Sequence, residues 1–192
     1  MNLLAIIFVA ILANNIVLSQ FLGICPYLGV SKRIETSVGM GLAVIFVMTM
    51  SAIVTWLIDT FLLLPFNLLY LRTIAFILVI AGLVQLVEMI LKKSNPTLFR
   101  ALGIYLPLIT TNCTILGVAI LNVQSGHNII ETIIYSIATG IGFTLAMVIM
   151  AGIRERLELA NMSGFLKGAA VTLVSAGILS LAFMGFKGMV TL

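Results

Sequence analysis

Long apolar runs broken by short polar stretches dominate the chain, and within each run the apolar residues are continuous rather than alternating. That pattern predicts membrane-crossing helices and not the strands of a barrel, because only these two architectures satisfy their own backbone in lipid. Six runs approach the roughly 20 residues needed for a roughly 30 Å hydrocarbon core: about 3–29, 38–58, 73–91, 101–121, 130–153 and 168–186. The first is too long for a straight crossing, since at ~1.5 Å per residue it overshoots the core by about a third. It must tilt, unwind or turn back, and its polar residues Asn14, Asn15, Ser19, Gln20 and Gly23 place the break at or just before Cys25.

Composition reinforces this reading. A chain of 192 residues that is 62% hydrophobic and 8% charged would leave a soluble domain with a mostly apolar surface. The expected fold is therefore an all-α integral membrane protein with one membrane domain over 1–192 and no soluble domain, because the connections 59–72 and 154–167 are too short to bury a core. No basic region or small-residue cleavage site accompanies the Met1-Asn2-Leu3-Leu4 start, so the first segment is expected to remain in the mature protein.

Charge then orients the helices. Lys32, Arg33, Lys92, Lys93, Arg100, Arg154, Arg156 and Lys167 follow crossings one, three and five, whereas Arg72 and Lys187 lie on the other side. This bias places the first group in the cytoplasm and both termini on the outer face. The net charge of +4 thus reflects topology and calls for lipid, not nucleic acid, as the partner. The chain divides near Ser94-Asn95-Pro96 into halves of about 1–95 and 96–192, with three crossings each. An odd number of spans per half means an inverted repeat, and interrupted helices in such repeats build sites near the bilayer midplane. Gly39-Met40-Gly41 and Gly140-Ile141-Gly142 read as small-residue packing sites, since no strand precedes them as a nucleotide loop would require.

The two cysteines stand out against this background. Each opens the phrase Cys-x-x-Leu-Gly-Val, as Cys25-Pro26-Tyr27-Leu28-Gly29-Val30 and as Cys113-Thr114-Ile115-Leu116-Gly117-Val118. Cys113 lies midway along the fourth crossing, after Leu106-Pro107-Leu108-Ile109-Thr110-Thr111-Asn112, where Pro107 frees a carbonyl and the hydroxyl and amide side chains can satisfy what a break exposes. Pro26 suits the first turn of a new short helix that aims backbone N–H groups at the Cys25 sulfur.

Four readings compete for the cysteines. They can be small buried apolar residues, a disulfide, which gains little in hydrocarbon, or zinc ligands, although the one histidine, His127, falls in an external loop. Thiolates are also soft ligands for iron, and an iron-sulfur cluster takes four of them, so this chain would supply two and a partner polypeptide two. The repetition favours the last. Gly23, Gly29, Asn112 and Gly117 would then act around the sulfurs, the glycines by allowing close backbone approach and N–H donation.

Other intramembrane polar residues carry weaker signals. Glu88 sits four residues before Lys92, an ordinary helical pair as well as a conceivable ion-path residue. Asp59, Glu155 and Glu158 are expected at solvated helix ends, and the scattered methionines fill gaps.

At these residues the chain resembles a known family. Asn14-Asn15, the run 21–32 around Cys25, the run 106–113 ending at Cys113, Ile153-Arg154-Glu155-Arg156-Leu157 and Leu181-Ala182-Phe183-Met184-Gly185-Phe186 resemble the RnfA family, the A subunits of the Rnf electron-transport complex. NqrE of the sodium-translocating NADH:quinone reductase is a sister family, and Tyr70-Leu71-Arg72-Thr73-Ile74-Ala75-Phe76 is closer to the Rnf member. The resemblance spans the whole chain without departure at Cys25 or Cys113. It implies six helices with the first and fourth interrupted, and a homologous partner of opposite topology, RnfE, sharing a 2Fe-2S cluster ligated by Cys25 and Cys113. It further implies a ferredoxin:NAD oxidoreductase with RnfB, RnfC, RnfD and RnfG in a prokaryotic cytoplasmic membrane, coupled to Na+ or H+ translocation, with no catalytic site in this chain. An inverted-repeat secondary transporter without a redox cofactor is the alternative.

Overall fold

The computed structural model describes residues 7–66, 69–94, 106–159 and 169–187. The repeat boundary near 95–96, the basic residues Arg100 and Lys167, and the predicted starts of crossings one, four and six lie outside the described residues. Every regular element among those described is helical. A π-helical turn, Val9–Ala13, leads into α1 (Ile16–Gln20) and α2 (Ile24–Val30), followed by α3 (Ile34–Ile58). A second π-helical turn, Asp59–Leu63, extends α3, and a 3-10 turn, Leu69–Leu71, precedes α4 (Arg72–Ser94). Then come α5 (Leu106–Thr110), α6 (Cys113–Gln124), α7 (Ile129–Leu159) and α8 (Ala169–Lys187).

Among the described residues four segments are long and apolar enough to span a bilayer, Ile34–Leu63, Arg72–Ile90, Pro107–Gln124 and Ile129–Leu157, with Ala170–Phe186 as a shorter apolar helix. The protein is an all-α integral membrane protein. The first segment falls outside that set because it is cut into pieces, as its polar residues predict. It is cut twice, once at Asn14–Asn15 and again at Phe21–Gly23, where Phe21 and Gly23 adopt left-handed φ angles of 57° and 79°.

The chain forms two compact units, 1–42 with 138–192 and 43–137. In the first, α8 packs on the opening π-helical turn and on α1, around a core that includes Ile16, Met40, Phe143, Met147 and Met150. Its polar atoms are directed at the broken helix. The Asn15 Nδ2 donates to the carbonyls of Ile11 at 3.2 Å and Gly142 at 2.8 Å, while its Oδ1 accepts from the N–H groups of Val17 and Leu18. The bend at Phe21 leaves the Leu18 carbonyl without the usual helical donor, and the Ser180 hydroxyl supplies one at 2.6 Å.

The second unit repeats the scheme with different residues. Here α4 packs on α5 and α6, around Phe76, Val84, Ile115 and Val118. Each unit therefore combines the interrupted helix of one half with the third helix of the other. Asp59 is buried and not solvated as its helix-end position suggests: the π-helical turn carries it into the packed region, where Arg72 Nε donates to Oδ1 at 2.8 Å and Nη2 to Oδ2 at 3.3 Å. His127 lies in the loop expected for it and is half-buried there. Its Nδ1 lies 3.1 Å from Asn122 Oδ1, its ring meets Tyr135 at 5.4 Å, and its carbonyl accepts from Trp56 Nε1 at 3.0 Å.

The glycine pairs differ in how closely they are approached. A Cβ on Gly41 would collide with the side chain of Thr144, whose hydroxyl is held on the Gly140 carbonyl, and one on Gly142 would press on the Ala10 and Ile11 carbonyls at 3.2 Å. Gly39 has nothing within 4 Å of such a Cβ. Gly41→Ala is therefore expected to destabilise the protein by about 1–3 kcal/mol through overpacking. Gly39→Ala should be neutral or stabilising by up to about 1 kcal/mol, because the helix interior gains propensity without a clash. Thermal unfolding of the detergent-solubilised complex compares the two directly.

Candidate metal centre

Both cysteines sit on the first turn of a helix that starts at a break. Cys25 is the second residue of α2, which begins after Gly23, a left-handed N-cap. Pro26 falls in that same first turn, where its missing N–H is not needed. Cys113 is the first residue of α6, capped by Asn112, whose Oδ1 accepts from the Thr114 N–H at 3.1 Å. The break before α6 is satisfied from both sides, since the Thr111 hydroxyl donates to the Pro107 carbonyl at 2.9 Å.

The repeated phrase also repeats in burial. Cys25 and Cys113 are exposed; the two residues after each, Pro26-Tyr27 and Thr114-Ile115, are buried; Leu28 and Leu116 are half-buried; Val30 and Val118 are buried. Gly29 and Gly117 fall one helical turn beyond the sulfurs and on the same face. At Gly29 a Cβ would meet nothing within 4 Å, so the strip holding Cys25 is open. At the glycine the two copies differ, Gly29 being exposed and Gly117 half-buried. Apolar cysteines filling core gaps would be buried, and these face outward instead. Both are thiols rather than disulfides.

The surroundings of Cys113 test whether a polar group fits there. Because Asn112 uses its oxygen as the helix cap, the other end of its side chain must be the amide donor. That Nδ2 is buried without a partner among the described residues, as is the Thr114 hydroxyl on the other side of the cysteine. Orphaned buried polar atoms are costly in an apolar environment, and the hydroxyls of Tyr27, Ser51, Thr132 and Thr139 share that condition, so the pair beside Cys113 is compatible with a polar neighbour without marking one. No cluster of three or more His, Cys, Asp or Glu side chains exists among the described residues. Two thiolates alone are half of what an iron-sulfur core takes.

Each residue expected around the sulfurs has a definite place. Gly23 shapes the bend before Cys25, Asn112 caps the helix of Cys113, and Gly29 and Gly117 put no side chain on the strip beside each sulfur. Glu88 is half-buried on α4. What composition does not reveal is Arg154, which reads as one basic residue among many yet donates from Nη1 to the Leu28 carbonyl of α2 at 2.7 Å. The sequence does carry a signal for it: Arg154-Glu155 ends the apolar run of crossing five with two adjacent opposite charges.

Known proteins match the chain over nearly its whole length. A family described as "Rnf-Nqr subunit, membrane protein" matches residues 3–190. The A subunit of the ion-translocating oxidoreductase complex of Escherichia fergusonii is 57% identical over 182 residues, covering 95% of this chain and 94% of that protein. Proteins of the same name from Escherichia coli strain K12 / DH10B and Shigella boydii serotype 18 are 56% identical over the same shares.

The cap at Asn112 can be separated from any other role of that residue. Asn112→Ala is expected to lower stability by about 1 kcal/mol, and Asn112→Asp, which keeps an acceptor for the Thr114 N–H, should recover most of it. Equal thermal midpoints for the two variants would show that the amide oxygen is not what starts α6.

Proposed function

The chain belongs to the Rnf-Nqr family of membrane subunits, and we propose that it serves as the A subunit of an ion-translocating ferredoxin:NAD oxidoreductase, carrying electrons through the bilayer interior. In this reading Cys25 and Cys113 ligate a 2Fe-2S cluster, and the homologous RnfE chain, inserted with opposite topology, supplies the remaining two thiolates. When bound, such a cluster accepts and releases one electron at a time. Electron transfer would be coupled to Na+ or H+ translocation by the whole complex, which also contains RnfB, RnfC, RnfD and RnfG and resides in the prokaryotic cytoplasmic membrane with both termini of this chain outside.

The observation that carries the reading is the matched pair of outward-facing thiols, each on the first turn of a helix that begins at a break. Breaking a helix in lipid is unfavourable unless something uses the break, and here the same break recurs with the same residue at its edge. The protein's own contribution is positional. Asn112 holds the start of α6, the Gly23 bend turns α2, and the Gly29 and Gly117 positions keep bulk away from the sulfurs. Asn112 Nδ2 and the Thr114 hydroxyl are buried donors next to Cys113 in the chain, and any donor that reached a bound cluster would favour its more negative state.

A secondary transporter of the same architecture would bind its solute without iron. The two readings part in the purified anaerobic complex, where the electron-carrier reading expects iron and sulfide with a visible spectrum that bleaches on reduction. Cys25→Ser and Cys113→Ser should each abolish the paramagnetic signal of this cluster and reduce electron flow to the background rate while the complex still assembles. Unchanged iron content and electron flow in both variants would rule the proposal out.

A further inference from the structure

The helix that carries Cys25 does not hold its own direction. It is seven residues long, and isolated helices shorter than about 12 residues are marginal even in favourable sequences. Its pose comes from its buried face, Pro26, Tyr27 and Val30, and from what ties its two ends. At the N-terminal end the chain arrives through the left-handed residues Phe21 and Gly23, and the Gly23 carbonyl accepts from the Tyr27 N–H at 3.2 Å. At the C-terminal end side chains from outside the helix take part. The Tyr27 carbonyl accepts from the Ser31 hydroxyl, the Val30 carbonyl from the Lys32 N–H at 2.8 Å and the Thr36 hydroxyl at 3.2 Å, and the Leu28 carbonyl from Arg154 Nη1 at 2.7 Å.

Of these bonds, the one from Arg154 reaches across from another part of the fold, 126 residues along the chain. The same Nη1 donates to the Ser31 hydroxyl at 3.1 Å, and the neighbouring Glu155 Oε1 accepts from the Ile34 N–H at 3.1 Å, at the start of α3. The end of α7 thus grips both sides of the 31–34 turn, with a cation on the carbonyl end of one helix and an anion on the amide end of the next. Each charge matches the helix end it meets.

We propose that Arg154 is the positioning residue of Cys25, fixing the direction of the thiol by anchoring the opposite end of α2. Leu28 lies three residues beyond Cys25 on the same strip of the helix, so a tether on its carbonyl acts on the sulfur through a single turn. The bond is charge-assisted and short, and the same Nη1 serves both the Leu28 carbonyl and the Ser31 hydroxyl. The inference rests on the reading of Cys25 as a cluster ligand, but the effect on the thiol itself is measurable without a cluster.

Two measurements on membranes containing the complete complex test it. In a Cys113→Ser background, where the cluster site is incomplete, the alkylation rate of Cys25 by N-ethylmaleimide reports how the thiol is presented. Arg154→Gln is expected to change that rate roughly tenfold, the effect of losing one charge-assisted hydrogen bond. Arg154→Lys, which keeps the charge and a single donor nitrogen on a shorter side chain, should change it less. Arg156→Gln, removing the same charge from an exposed site on α7, should leave it unaltered. With both cysteines intact, Arg154→Gln should also shift the midpoint potential and line shape of the cluster signal without loss of iron, and Ser31→Ala should shift them in the same direction by a smaller amount. Wild-type alkylation and an unmoved signal in Arg154→Gln overturn the inference while leaving the cluster reading intact. A wild-type complex whose signal does not depend on Cys25 overturns the cluster reading, and the alkylation arm then still decides what Arg154 does.

Discussion

Hydrocarbon offers no hydrogen bonds, and this molecule interrupts two of its apolar segments, at Asn14–Asn15 with Phe21–Gly23 and before Cys113. Each interruption exposes backbone groups whose desolvation without a partner costs several kcal/mol, so the side chains nearest the breaks are committed before any function is considered. Asn15 bonds four backbone groups, at Ile11 before its break, at Val17 and Leu18 after it, and at Gly142 on α7, while Ser180 reaches over from α8 to the Leu18 carbonyl. Asn112 caps α6 and Thr111 closes the turn before it. Asparagine fills this role in both halves because one side chain offers an acceptor to a helix start and a donor to a carbonyl. At Asn15 both ends are used within the chain. At Asn112 the donor end has no partner among the described residues, and that difference leaves the second break compatible with a polar neighbour.

Much of this architecture can be read from the residues alone. Continuous apolar runs give the spans, and the cluster of Asn14, Asn15, Ser19, Gln20 and Gly23 locates the interruption because such residues have no reason to be in a straight lipid-facing helix. The second cut at Phe21 is harder to anticipate, since a phenylalanine with positive φ is uncommon and carries no signature of its own. Individual charges escape the sequence for a different reason. Counting lysines and arginines orients a membrane protein, but counting treats each as solvated, whereas Arg72 and Arg154 point their guanidinium groups at particular oxygen atoms. Asp59 looks like a helix end facing water only if the helix stops at Ile58; five further residues in a π-helical turn bury it.

Correspondence between the halves is plainer in their packing than in their letters. Outside the cysteine phrase the halves barely align, yet each compact unit joins an interrupted helix of one half to the third helix of the other. Divergent residues perform matching tasks, so pairwise identity between the halves fades while the pattern of inside and outside persists. The phrase Cys-x-x-Leu-Gly-Val survives because its positions do two jobs at once: the buried valine and its preceding buried pair pack the helix inward, which leaves the cysteine and glycine on the outward strip. Replacing either set alone would turn the thiol away.

The two cysteines are equivalent in sequence and unequal in support. α6 has twelve residues, a side-chain cap and a long neighbour in α4, so the direction of Cys113 follows from ordinary helix stability. α2 has seven residues and a glycine cap, and its direction depends on a tether from α7. Two ligands held with equal stiffness would respond alike to any load placed on them. At Cys25 the direction rests on the inward packing of Pro26, Tyr27 and Val30 together with the bonds at the far end of the helix, of which the one from Arg154 comes from α7.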